Sequence, residues 1–199
     1  ALAMAYLVPQ RYQEMLTRAL ELGENRIIAG MHSPLDVIGG RIQGTAVVAY
    51  NLNRTDYADI KTTALAEAQS WLLQATGSSD ASALYAYAHS ATTSNDRFAD
   101  HATNRSNYLR RLTFGFSPIA ATTTAAVVPK GAEVLLETRQ PYLTAAQRRV
   151  VLRTTALTSG YPVMDDAEGW GRLNLFAAAD GYGAFDGDVA VTMNAANGG

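Results

Sequence analysis

The stretch Asn25-Arg-Ile-Ile-Ala-Gly-Met-His-Ser-Pro-Leu-Asp-Val-Ile-Gly-Gly40 decides how the rest of the chain is read. Upstream of it, Tyr12, Met15, Leu16, Ala19, Leu20 and Leu22 recur mostly at helical spacing, which predicts a helix from Pro9 to about Ala29. Gly30 ends that helix. Ser33-Pro34-Leu35-Asp36 starts the next: Ser33 is the N-cap, Pro34 takes the first helical position, and Asp36 puts an acid at the third. This second helix is expected to run to about Tyr50 or Leu52. Gly39, Gly40 and Gly44 each lower its helix propensity by roughly 1 kcal/mol against Ala, which predicts close packing of the helix against a neighbour. The stretch is the corner of a helical fold.

Outward from that corner, Ala1 to Val8 reads as an apolar helix that Pro9 breaks. It has neither a capping residue ahead of it nor a positively charged leader, so Ala1 is expected to be a cut point inside a longer protein. On the other side, Asp56 to Ala75 has Leu65, Ala68, Leu72 and Ala75 on one face and Gly77 just past its end. Ser82 to Ser90 predicts a short helix, Thr92 to Asn107 a polar loop, and Tyr108 to Phe116 stays open between states. Residues 117–132, rich in Thr and Ala, predict irregular chain. Thr144-Ala-Ala-Gln147 is a second capping box, opening a helix to about Thr155. Gly160-Tyr-Pro162 marks a turn, Leu173 to Ala179 a helix, Gly181 to Gly187 a turn and Val189 to Met193 a short strand. The expected class is mainly α: a helical bundle with an irregular C-terminal third. Residues 1–199 form one domain in this reading, with a helical core over 1–90 and an irregular and helical region over 91–199.

Composition narrows the function. The 199 residues are 48% hydrophobic and 17% charged, enough for one packed core, and the Ala- and Thr-rich mixture resembles a secreted or periplasmic enzyme. A net charge of −2 offers no broad basic field to a nucleic-acid backbone, so any bound anion must be held by local donors. With no cysteine, disulfides, thiolate zinc sites and cysteine nucleophiles are excluded. The longest uncharged run, Leu112 to Pro129, contains Gly115, Pro118 and several threonines and makes no membrane span.

Arg26, His32 and Asp36 carry the candidate chemistry. The helix-break-helix reading sets Arg26 near the end of one helix and His32 just ahead of the next. A guanidinium offers forked, permanently charged donors to phosphate oxygens. An imidazole can attack phosphorus and form a covalent intermediate. A carboxylate on its far nitrogen would fix the tautomer and stabilise the positive charge that develops. Taken alone, Asp36 reads first as the acid of a capping box that returns a hydrogen bond to Ser33.

The spacing Arg26-x5-His32-x3-Asp36, followed by Val37 and Gly39-Gly40, resembles the third signature motif of the type 2 phosphatidic acid phosphatase superfamily. That superfamily includes bacterial acid phosphatases, lipid phosphatases and vanadium-dependent haloperoxidases. The resemblance implies that Arg26 binds phosphate, His32 is the nucleophile, Asp36 orients His32, and no metal is required. The family pattern usually has Ser where this chain has Asn25. Its first motif (a Lys and an Arg) and its second (Pro-Ser-Gly-His, with the general-acid His) are not present, so a missing N-terminal part of the same protein is the implied partner. Glu137 to Arg149, Gly160-Tyr-Pro162 and Gly169-Trp-Gly-Arg-Leu-Asn174 resemble the C-terminal region of large bacterial members. The expected activity is hydrolysis of phosphoric monoesters through a phosphohistidine, with the isolated chain inactive. The alternatives are a haloperoxidase, in which His32 ligates vanadate as the cofactor, and a non-catalytic helical fragment or interaction piece.

Other polar groups read as structural. His89, His101, Asp96 and Asp100 fit no metal spacing and are expected in loops. Asp180 to Asp188 fails as a calcium loop because Tyr182 and Ala184 stand where oxygen ligands are needed. Arg148, Arg149 and Arg153 form a solvated basic face, and Trp170 with Arg172 a stacked contact. No Walker or Rossmann glycine pattern occurs.

Overall fold

The computed structural model describes residues 1–180; the expected turn over 181–187, the strand Val189–Met193 and the rest of the calcium-like stretch lie outside the described residues. The described chain is mainly α, with no β-strand. Its helices are α1 (Leu2–Leu7), α2 (Tyr12–Ile28), α3 (Pro34–Leu52), α4 (Ala58–Thr76), α5 (Ala81–Ala88), α6 (His101–Thr113), α7 (Ala145–Thr154) and α8 (Leu175–Asp180). Short 3-10 turns over Pro9–Arg11, Thr55–Tyr57 and Ala132–Leu136 join or precede them.

α2 is the centre of the fold. Tyr12, Leu16 and Leu20 follow one another at four-residue intervals and are all buried, so one stripe of α2 faces the core. α1, α3, α6 and α8 pack around it. The buried cluster runs from Ala5 through Ala49, Tyr108, Leu112, Leu135, Leu136, Val151 and Leu152 to Phe176 and Ala179, so both halves of the sequence share one core. Tyr12 adds a long-range tie, its hydroxyl donating to the Leu135 carbonyl at 2.8 Å.

α6 corrects the polar loop expected over Thr92 to Asn107 from His101 onward, and with it the placing of His101 in a loop; Asp100 stays outside the helix. Asp100 caps the helix by accepting from the Thr103 amide at 2.6 Å, and His101 is its first residue. Its buried positions Asn104, Tyr108 and Leu112 recur every four residues, but only two are apolar, so the hydrophobic period is faint.

The irregular segment between α6 and α7 is held by arginines, which corrects the solvated basic face. Arg148 is buried and donates to the carbonyls of Glu133 (3.1 Å) and Leu143 (2.5 Å). Arg149 donates to Val128 and Pro129 carbonyls and pairs with Glu133. Arg172 does the same for Thr124, Ala125 and Leu157 instead of stacking on Trp170, whose indole N–H goes to Glu168. Backbone carbonyls of non-repetitive chain need donors once buried, and a guanidinium fork reaches several at once.

Candidate functional site

The corner between α2 and α3 is built by two local motifs back to back. α2 ends in a Schellman motif: Gly30 sits at φ +69°, its N–H reaches the Ile27 carbonyl (2.9 Å), and the Met31 N–H reaches the Arg26 carbonyl (3.0 Å). The His32 N–H also donates to the Arg26 carbonyl, at 3.3 Å. α3 then opens with the Ser33 capping box: the Asp36 N–H donates to Ser33 Oγ at 3.2 Å, and the Ser33 N–H to Asp36 Oδ2 at 3.0 Å. Arg26 and His32 are therefore fixed to one another through backbone, whatever their side chains do.

Arg26, His32 and Asp36 line one cavity of about 470 Å³ between the facing sides of α2 and α3. Apolar Leu16, Leu20, Val37, Val48, Leu173 and Leu175 make most of its wall, with Arg41 and Tyr108 as further polar lining. Arg26 is exposed, and its side chain has no ion-pair or hydrogen-bond partner among the described residues. The neighbouring Glu24, by contrast, is taken by Arg110 and Arg111. His32 turns Nδ1 toward Asp36 Oδ2 at 3.9 Å, with side-chain exposures of 47% and 60%. That separation is ion-pair range and too long for a hydrogen bond. The geometry at Asp36 is that of a capping carboxylate: the Ser33 amide, then the Ser33 hydroxyl, and only last the His32 ring hold its carboxyl below the ordinary aspartate range.

The glycine face of α3 corrects the expected close packing. A Cβ built on Gly39, Gly40 or Gly44 meets nothing within 4 Å, whereas one on Gly23 of α2 would lie 2.8 Å from Val37 Cγ1. The tight approach is at Gly23, and the α3 glycines leave space that Gly40 and Gly44 turn toward the cavity.

Arg41 was not singled out by the sequence, although its place one turn after Val37, on the face that continues to Thr45 and Val48, was a usable signal. Burial pushes its guanidinium below the ordinary arginine value. Burial likewise pushes the Tyr108 phenol up to about 12, with Arg41 opposing the shift. Among the described residues no group of His, Asp and Glu side chains is arranged to hold a metal ion, and no helix is long and apolar enough to cross a membrane.

Comparison of the chain with known protein families, curated proteins and solved structures finds no match. The chemistry of the cavity is therefore read from its own residues: a forked cation and an imidazole, at the lip of a largely apolar pocket, suited to a small tetrahedral oxyanion.

Proposed function

We propose that the cavity binds the phosphoryl group of a phosphoric monoester, as the third-motif side of a site of the type 2 phosphatidic acid phosphatase kind, and that His32 is the nucleophile. The observation that carries this reading is that Arg26, free of any partner among the described residues, and His32 line the same cavity and are tied through one backbone carbonyl. With Nδ1 facing Asp36, Nε2 is the nitrogen left to attack. Its lone pair forms the N–P bond as the bond from phosphorus to the leaving oxygen breaks, and Arg26 offsets charge on the non-bridging oxygens. Water then displaces the imidazole, releasing phosphate. Vanadate, a tetrahedral oxyanion too, suits the same donors, with Nε2 as the ligating nitrogen.

The lining residues hold no second imidazole, and the Tyr108 phenol, pushed up to about 12, is a poor acid. The leaving oxygen must therefore depart without protonation from this wall. Esters of acidic phenols, such as dinitrophenyl phosphate, are expected to phosphorylate His32, and alkyl phosphates much more slowly. The test is an alkaline quench of the full chain after incubation with dinitrophenyl phosphate, followed by peptide mass analysis. One phosphoryl group on the His32 peptide, absent from His32→Ala, is the expected result. Phosphoryl labelling of His32→Ala equal to that of the wild type would remove the nucleophile.

A second reading, oxyanion binding without turnover, draws on the exposure of His32 and Asp36 and on the engagement of Asp36 with Ser33. Phosphate binding with no labelling of His32 would favour it.

A further inference from the structure

Arg41 is a cation in the cavity wall that makes no ion-pair contact with a carboxylate among the described residues. Its Nη2 donates to the Gly171 carbonyl at 3.0 Å, while its Nε is buried and has no acceptor among the described residues. The acidic groups that act on it are the Tyr108 phenol and Asp166, and Asp166 is occupied by the backbone N–H groups of Glu168, Gly169, Trp170 and Gly171. A desolvated guanidinium with one carbonyl partner is costly unless an anion joins it.

The other arginines of the fold provide the comparison. Arg148 and Arg172 are buried more fully than Arg41, and each fills its fork with three backbone carbonyls. Those are structural clasps. Arg139 shares an unsatisfied Nε, but it lies by the Tyr85 ring and not in the cavity wall. Arg41 alone among these lines the space that Arg26 and His32 face. Arg41 stands one turn after Val37 on the side of α3 that lines the cavity, with its guanidinium on the Gly171 carbonyl.

We propose that Arg41 is a second anion-binding guanidinium of this cavity, contacting from the inner side the same phosphoryl group that Arg26 meets at the lip. The proposal rests on the reading of the cavity as a phosphoryl site and adds a physical reason for its preference of a monoester over a diester. Two forks on one phosphorus need the three non-bridging oxygens of a monoester dianion, and a diester, with two such oxygens and one charge, satisfies them poorly.

The probe is inorganic phosphate, titrated calorimetrically into the full chain and into Arg41→Met, Arg41→Lys and Arg26→Gln, with thermal melts of each in phosphate-free buffer. Methionine replaces the guanidinium with an apolar chain of similar length, so Arg41→Met is expected to melt no lower than the wild type while binding phosphate about tenfold or more weakly. Arg41→Lys keeps the charge and loses the fork, and its affinity is expected to fall between the two. If Arg41→Met fails to fold, a loss of about threefold or more in Arg41→Lys supports the proposal, and a smaller loss overturns it. Phosphate binding that Arg26→Gln weakens and Arg41→Met leaves unchanged overturns the role of Arg41 while the phosphoryl reading stands. No phosphate binding by the wild type overturns both.

Discussion

Asp36 has two claims on it, and they can be separated by one atom. Its Oδ2 accepts from the Ser33 amide at 3.0 Å and stands 3.9 Å from His32 Nδ1. Asparagine keeps a carbonyl oxygen for the Ser33 amide and loses the negative charge that His32 would need once it becomes cationic. Asp36→Asn is therefore expected to leave the melting temperature almost unchanged and to slow phosphorylation of His32 by at least about tenfold, toward the roughly 10⁴-fold cost of the same change where a carboxylate orients a catalytic imidazole. The check is the labelling rate with dinitrophenyl phosphate beside a circular-dichroism melt. An unaltered rate would mean that the carboxylate serves the helix start alone. Both roles were open in the sequence, because a Ser-x-x-Asp pattern is local chemistry that holds wherever the helix sits. Their relative weight was not, since it turns on a side-chain distance. Arg41 was harder still: what makes it distinctive is a carbonyl at Gly171, 130 residues away, and an acceptor that is missing.

At the scale of elements, the site depends on how closely α2 and α3 run. Gly23 sets that approach: a methyl group there would meet Val37 Cγ1 at 2.8 Å, and a β-branched side chain in a helix has little rotamer freedom with which to yield. Gly23→Ala is expected to destabilise the fold by about 1–3 kcal/mol through overpacking and to weaken phosphate binding by spreading the two helices. Gly40→Ala and Gly44→Ala, with open space around the added carbon, should instead be neutral or raise stability by up to about 1 kcal/mol each. Denaturant melts of the three variants test the contrast; equal destabilisation by all of them would show that α3 has a neighbour on its glycine face. The sequence drew attention to three glycines in one helix and passed over the one in α2, because propensity measures the strand of chain that pays and not the surface that benefits. Helix starts at Ser33 and Thr144 were legible from side chain to backbone pairing three residues on. α6 was hidden because its stripe includes buried Asn104, whose amide donates to the Phe98 carbonyl at 2.7 Å. A satisfied polar residue serves a buried position as well as an apolar one, and periodicity counts only the latter.

Across the whole molecule, charge joins elements that the apolar core leaves open at their ends. Glu24 on α2 takes both nitrogens of the Arg110 fork, at 2.6 and 3.0 Å, and Arg111 Nε at 2.7 Å, so the outer end of α6 is pinned beside the turn that carries Arg26. The Arg110 hydrogen bond, ahead of the Arg111 bond and the attraction of both cations, lowers the Glu24 carboxyl from its ordinary 4.5 to about 2. A carboxyl whose value is depressed in the folded protein stabilises it above the unfolded value and loses that contribution as pH falls through the folded one. The stabilisation from Glu24 is thus complete above about pH 4.5 and fades between there and about pH 2. Its size is held to about 1 kcal/mol, because Arg110 is half exposed and water competes for its fork. Glu21, Asp96 and Glu137 are also held below their ordinary values, so the wild type alone will lose stability in acid for several reasons at once. The difference between wild type and Glu24→Gln isolates this site. That difference in unfolding free energy is expected to be constant near neutrality and to shrink steadily as pH is lowered from about 4.5 toward 2. A gap that stays the same down to the lowest pH at which the protein remains folded would mean that Glu24 contributes packing and neutral hydrogen bonding, and that α6 is held by its buried stripe without help from the ion pair.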